Sequence, residues 1–363
     1  SSATPDSHTA AFTTPVFYSN QQGYDITTAT RTISGTGSAA NEITIANPLS
    51  WSANQLTLSA YNNININATM DGGAAGKLSL RYGQATAGGD ASTYNVNAAV
   101  NLAAGQNFST QLGSTGTLKN YTVITALGEA GSTSGTNLQG INGELAANYV
   151  LGSNIDATAT FSWNSGAGFA PITTFSGTFD GLGHSISALT INRPSTDYVG
   201  LFGRTGTTAA IRNVGLIGGN VRGDYYVGPL VGYNVGTISN SYATGTTYGA
   251  TNAGGLVGFN SSGATIQNSY STGSLSGGNR LGGLVGVNQG TLSDTYSVVS
   301  ITDVAAQDLF GGLVGQNSGT INRSYAAGVV NVQVPANSAG ALLGYNAGAI
   351  SDSYWNADIN SGY

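Results

Sequence analysis

The chain has 363 residues, of which only 10 Lys+Arg and 16 Asp+Glu are charged, 7% against roughly 25% in an ordinary soluble domain. That supply, with a net charge of -6, excludes charge-laced helical bundles, coiled coils and a nucleic-acid binder with a Lys/Arg footprint. Zero cysteines remove disulfides and thiol chemistry, 40% apolar content argues against disorder, and no hydrophobic run reaches the roughly 18 residues of a membrane span.

Residues 1–40 read as a polar leader or linker, rich in Ser, Thr and Ala. From 41 to 142 the pairs Ile43/Ile45, Leu56/Leu58, Ile64/Ile66 and Leu78/Leu80 alternate with polar residues, as in short strands joined by coils of irregular length. Residues 143–198 form a transition with the largest insertions. Within it FDGLGHS holds Asp180 and His184, with Asp156 upstream, the best candidate cluster for acid/base chemistry. Carboxylates are too sparse to give it an obvious second partner, and the segment reads more simply as a tight turn with His184 pairing locally. No catalytic residue, metal site or cofactor is expected: His8 and His184 are the two histidines, and neither an HExxH zinc helix nor a calcium nonapeptide occurs.

From 199 to 363 one phrase returns: VGLFG, VGPLVGYN, GGLVGFN, GGLVGVN, GGLVGQN, GALLGYN. Its leucines Leu201, Leu230, Leu256, Leu284, Leu313 and Leu342 are 26 to 29 residues apart. A second phrase supplies Ile211, Ile238, Ile266, Leu292, Ile321 and Ile350, followed by Tyr242, Tyr270, Tyr296, Tyr325 and Tyr354. Strands of four or five residues cannot stand alone, but stacked in parallel register their backbones pair coil to coil and like side chains form columns. The 55 glycines suit the many turns and close approaches this requires. The expected fold is therefore all-β, a right-handed parallel β-helix (β-solenoid), its handedness taken from the general preference of parallel crossovers. At about 4.8 Å per coil one continuous solenoid of this length would extend roughly 70 Å.

In that fold the Leu and Ile columns fill the core, and Asn234, Asn260, Asn288, Asn317 and Asn346 stack as a structural amide ladder. The Tyr column reads as stacked aromatics along the wall, with a sugar-stacking stripe as the competing view. Arg222-Gly223-Asp224 is expected on an exposed turn between the first two regular coils, either as a receptor-binding tripeptide or as a solvated turn that keeps the wall soluble.

The repeats GGLVGFNSSGATIQNSYSTGSLSG and GGLVGQNSGTINRSYAAGVV resemble the GLUG repeat of large secreted bacterial surface proteins. The stretches NYVLGSNIDATATFSWNSGAGFAPI and WSANQLTLSAYNNININATM are similar to coils of filamentous-haemagglutinin-like exoproteins. The resemblance implies an extended β-helix on the bacterial surface or secreted, exported through a dedicated outer-membrane pore (two-partner secretion), with a role in adhesion or biofilm cohesion. The partner it implies is a host or bacterial surface glycan or protein receptor, with no nucleic acid and no membrane span. The expected function is a non-enzymatic adhesin or matrix stalk. A carbohydrate-active β-helix enzyme and a filament subunit that self-associates end to end are the competing classes.

Overall fold

The computed structural model describes residues 31–34, 42–303, 309–331 and 338–360. The described residues are nearly all β, and helix among them is confined to two short 3-10 stretches, Gln139–Gly143 and Thr158–Gly166. The fold is a parallel β-solenoid. Two compact units divide it. Of the described residues, the first holds those up to Thr125 with 148–153 and 182–184, and the second holds the rest.

In the first unit each coil contributes three short strands. Ile43–Ile45, Ile64–Ile66 and Tyr94–Val96 stack in register, as do Leu49–Ser50, Met70–Asp71 and Val100–Asn101. Gln55–Ser59, Lys77–Tyr82 and Gly105–Leu112 form the third parallel ladder. The partners Ile43, Ile64 and Tyr94 are 21 and 30 residues apart, so coil length varies as the irregular spacing of apolar pairs implies. The alternating residues Ile43, Ile45, Leu56, Leu58, Ile64, Ile66, Leu78 and Leu80 all turn inward at 0 or 1% exposure. Tyr82, Tyr94, Phe108 and Tyr121 run beside them as edge-on or tilted aromatic neighbours.

Two features of this unit differ from the sequence reading. Arg31–Ser34, within the expected leader, is a strand in parallel register with Leu56–Ser59; the rest of 1–40 lies outside the described residues. Lys119–Ile124 runs antiparallel to Gly105–Leu112. The chain doubles back through Gly113-Ser114-Thr115-Gly116, where Gly113 has φ +78° and a Cβ on Gly116 would meet the Leu112 carbonyl oxygen at 1.8 Å. A glycine-bracketed hairpin is the local solution wherever the chain reverses instead of climbing to a new coil.

The second unit holds the regular array. Phe202–Arg204, Val231–Asn234, Val257–Asn260, Val285–Asn288, Val314–Asn317 and Leu343–Asn346 form one parallel ladder. Ala210–Arg212, Thr237–Ser239, Thr265–Gln267, Thr291–Ser293, Thr320–Asn322 and Ala349–Ser351 form a second. A third includes Gly215–Ile217, Tyr242–Ala243, Tyr270–Gly282, Tyr296–Asp303, Tyr325–Ala326 and Tyr354–Trp355.

The leucines of the repeated phrase lie directly over one another. The amide of Leu256 donates to the carbonyl of Leu284 at 3.0 Å, Leu284 to Leu313 at 2.8 Å, and Leu313 to Leu342 at 2.9 Å. Leu201, Leu230, Leu256, Leu284 and Leu313 are fully buried, as are Ile238, Ile266, Leu292 and Ile321, with Ile211 at 1%. Burying one such side chain stabilises by about 1.5–3 kcal/mol. Ile350 is the exception at 41% exposure, against its expected place in the core. A column side chain is covered by the coils on both sides, and among the described residues no coil follows that of Ile350.

The paired glycines of the phrase have a steric cause. A Cβ on Gly255 would meet the Gly283 carbonyl oxygen at 2.2 Å, one on Gly283 that of Gly312 at 2.1 Å, and one on Gly312 that of Ala341 at 2.1 Å. The backbone of the next coil approaches too closely for any side chain.

Candidate functional site

The asparagine column is a buried amide ladder. Each Nδ2 donates to the next Oδ1: Asn234 to Asn260 and Asn260 to Asn288 at 2.9 Å, Asn288 to Asn317 at 2.8 Å, Asn317 to Asn346 at 2.7 Å. Thr205 occupies the head, its hydroxyl donating to Asn234 Oδ1 at 2.8 Å. Asn234, Asn260, Asn288 and Asn317 have no exposed surface, so both polar ends are spent on neighbours and none on a ligand.

The tyrosine column lies on the outer wall. Tyr242 and Tyr270 stack at 4.9 Å and Tyr270 and Tyr296 at 4.6 Å, each pair within 4° of parallel. Register carries the column on through Tyr325 and Tyr354, 40% and 64% exposed. Partial burial, then the neighbouring Tyr296 and Tyr242, push the Tyr270 phenol upward. Ring faces along this stack cover each other, so it offers solvent mainly ring edges.

Arg222, Gly223 and Asp224 sit inside the strand Asn220–Val227, paired in parallel with Thr246–Gly254, and not on a turn. Alternation explains the placement. Gly223 points inward, where a Cβ would strike Val199 at 2.7 Å, and Arg222 and Asp224 point outward. The Arg222 guanidinium lies 4.7 Å from the centre of the Tyr248 ring in the next coil. An extended strand spreads the two charges along the wall, unlike the glycine turn the sequence suggests.

Asp180 and His184 serve separate neighbours. The Asp180 carboxylate is fully buried and accepts from Arg212 Nε and from Asn213 Nδ2, both at 2.9 Å. His184, 4% exposed, does not pair locally: its Nε2 meets the carbonyl of Val100 at 3.0 Å. A carbonyl accepts only, so Nε2 carries the proton. Burial pushes the imidazole below its ordinary value and keeps it neutral. Between them Leu182 and Gly183 do form a left-handed turn, with φ +47° and +80°. Asp156 is occupied by the amide of Thr158 at 2.9 Å and by its hydroxyl. Among the described residues no group of three or more His, Asp or Glu side chains is placed to hold a metal ion.

Two further columns occupy corners where the backbone turns left-handed, the first of them two residues before each tyrosine of the second phrase. Asn213, Asn240, Asn268, Asp294, Arg323 and Asp352 take equivalent places in successive coils, with φ between +44° and +55°. Asn and Asp tolerate this conformation. Arg323 binds Asp294 in a fork, Nε to Oδ1 at 2.7 Å and Nη2 to Oδ2 at 2.6 Å, and that hydrogen bond holds the Asp294 carboxyl below the usual range.

The other corner reads Tyr198, Tyr226, Asn252 and Arg280, with φ +57°, +58°, +54° and +61°. Facing it is the column Arg204, Tyr233 and Phe259. Tyr233 and Phe259 stack at 4.7 Å and 7°, with the Arg204 guanidinium 5.2 Å from the Tyr233 centre. Tyr198 and Tyr226 lie 5.2 Å apart and 19° from parallel, and stand at 70° and 87° to Tyr233. Desolvation, then Tyr198 and Tyr233, raise the Tyr226 phenol. One sequence signal was available for this cluster: the residue before the ladder asparagine is aromatic in VGYN, VGFN and LGYN, although Val and Gln fill it elsewhere.

Comparison with known proteins adds two matches. The GLUG motif matches residues 223–248 and 249–276, which fall on successive coils of the regular array. Halomucin of Haloquadratum walsbyi is 45% identical over 131 residues, covering 33% of this chain and 1% of halomucin itself. The chain therefore spans a very small part of the length of that relative. No solved structure matches. Among the described residues no helix is long and apolar enough to cross a membrane.

Proposed function

We propose that the chain is a non-enzymatic segment of a secreted or cell-surface repeat protein, an adhesin or matrix stalk of the filamentous-haemagglutinin-like kind. One observation carries the reading. Among the described residues, polar and ionic side chains pair from coil to coil, in the Asn ladder and Arg323–Asp294 of the regular array and in Arg212–Asp180 at its start, and do not converge on a point. Such pairing fixes register and stiffness, which is what a spacer needs, whereas hydrolysis or elimination needs opposed acid and base groups around one bond.

The GLUG match and the likeness to a segment of halomucin support a place on a surface or outside the cell. A chain without cysteine suits export in the unfolded state through an outer-membrane pore, with folding by coil addition afterwards. The partner is a surface glycan or protein receptor met by the outer columns, and biofilm cohesion follows where many copies display them. The immobilised chain, assayed on an array of glycans and matrix proteins, is expected to retain a subset of them. The same glycans incubated with it in solution are expected to show no new reducing ends and no unsaturated products. Cleavage products would overturn the reading in favour of a carbohydrate-active enzyme.

A further inference from the structure

The contact between Arg222 and Tyr248 belongs to an outward column whose members change size abruptly. Register aligns Arg222 with Tyr248, Tyr248 with Ser276, and Ser276 with Thr302 on successive coils. Alternate residues of these strands share the outer wall, so Thr246 and Ala250 lie beside Tyr248, and Ser274 and Gly278 beside Ser276. Past Arg222 the tyrosine therefore stands among small neighbours.

Its ring also differs from the stacked ones. The Tyr242 ladder, the Tyr198–Tyr226 pair and the Tyr233–Phe259 pair meet ring to ring, and their faces cover one another. Among the described residues no ring lies against Tyr248, whose partner in the next coil is Ser276. The Arg222 guanidinium takes the rear face, 4.7 Å from the ring centre, and such a contact holds the ring across the column. The forward face looks toward the coil of Ser276, where the short side chain leaves the place that a stacked ring fills elsewhere.

The result is a notch with two unlike sides: an aromatic face and, meeting it, a floor of small hydroxyl side chains. Ser274 spends its hydroxyl on Thr246 at 3.2 Å, whereas those of Ser276 and Thr302 make no hydrogen bond among the described residues. A pyranose with all its hydroxyls equatorial has the complementary shape, C–H groups on its faces and hydroxyls around its edge. Aromatic carbon takes the first and serine or threonine hydroxyls the second.

We infer that this notch binds one neutral, all-equatorial pyranose residue, glucose or N-acetylglucosamine in β linkage, its C–H face on Tyr248 and its edge hydroxyls on Ser276 and Thr302. Arg222 is then a positioning residue that sets the Tyr248 ring. The inference deepens the proposed adhesive role and rests on it.

The test follows saturation transfer by NMR from the full chain to methyl β-glucoside and methyl β-N-acetylglucosaminide, with the open-chain polyol mannitol as control. Tyr248→Ala removes the stacking face. Ser276→Tyr fills the notch with a ring that stacks on Tyr248 as Tyr270 does on Tyr242, so this variant is expected to melt no lower than the parent. The parent should pass saturation to the ring C–H protons of both glycosides and not to mannitol, and each variant should bind them about tenfold more weakly. No transfer from the parent, equal transfer to mannitol, affinity kept in either variant, or a Ser276→Tyr chain that melts lower than the parent would each overturn the assignment. Attachment to the glycan and matrix array that survives in Ser276→Tyr, without transfer to the glycosides, retires this site alone. A parent that attaches to nothing retires the adhesive reading with it.

Discussion

Both units of the molecule use asparagine ladders, but they put them on opposite sides of the wall. In the first unit Asn95 donates to Asn65, and Asn97 to Asn67, both at 2.7 Å in partly or fully exposed positions. In the second, the ladder from Asn234 to Asn317 is inside, beside the leucine columns. An exposed amide that loses its partner turns to water, whereas a buried one has nowhere to turn. The inner ladder therefore demands strict register and a constant phrase, and the outer ones tolerate coils that step by 21 or 30 residues.

The largest effect that sharpens this contrast is expected from Asn288→Ala. It leaves the Asn260 donor buried without its partner and Asn317 Oδ1 with the Gly319 amide alone, at a cost of about 2–5 kcal/mol in denaturant unfolding. Asn97→Ala in the outer ladder should stay within about 0.5 kcal/mol. Equal losses at the two sites would break the comparison.

Steric demand separates single glycines by whether a neighbouring backbone approaches them, in both units. Gly283→Ala places a methyl group 2.1 Å from the Gly312 carbonyl oxygen and should destabilise by about 1–3 kcal/mol. Gly88, with nothing within 4 Å of a Cβ, should accept alanine with no loss of melting temperature.

Acid should act on the first unit through His184. Burial lowers its pKa in the folded state below the ordinary 6.5, so the unfolded chain takes up the proton more readily. The stability it contributes is complete above pH 6.5 and is lost as pH falls through that value toward the folded pKa. Hydrogen exchange resolved by region should show the strands around Val100 opening faster over that window, and His184→Gln should flatten the dependence. A slope unchanged by the substitution would contradict it. A small effect is also expected from Asp224→Ala: as an outward residue of a strand, its loss should change stability by no more than about 0.5 kcal/mol and leave array binding as it was.

Much of this architecture is legible in the sequence, because a solenoid writes its core as a period. Leu256, Leu284 and Leu313 identify a column by spacing alone, and the asparagine that follows each phrase identifies the ladder. What escapes is whatever a period does not encode. The antiparallel Lys119–Ile124 depends on a single glycine hairpin, and Arg31–Ser34 is too short and polar to stand out from its surroundings. Arg222-Gly223-Asp224 reads as a turn by composition, but the parallel pairing of neighbouring coils extends it into a strand. The pairing of His184 with Val100 spans 84 residues and has no local signature. The aromatic corner combines residues from two columns, and only register brings them together.

The central claim is that like residues of successive coils lie side by side, and the absence of native cysteine makes it directly testable. Ser293 and Asn322 are outward register partners on adjacent strands, with Ser351 beyond them. The pair Ser293→Cys/Asn322→Cys should close a disulfide under mild oxidation, since neighbouring strands about 4.8 Å apart fall within the Cα separation a disulfide spans. The displaced pair Ser293→Cys/Thr320→Cys should remain reduced. Cross-linking of the displaced pair, or of neither, would contradict the in-register stack on which the fold and the proposed role depend.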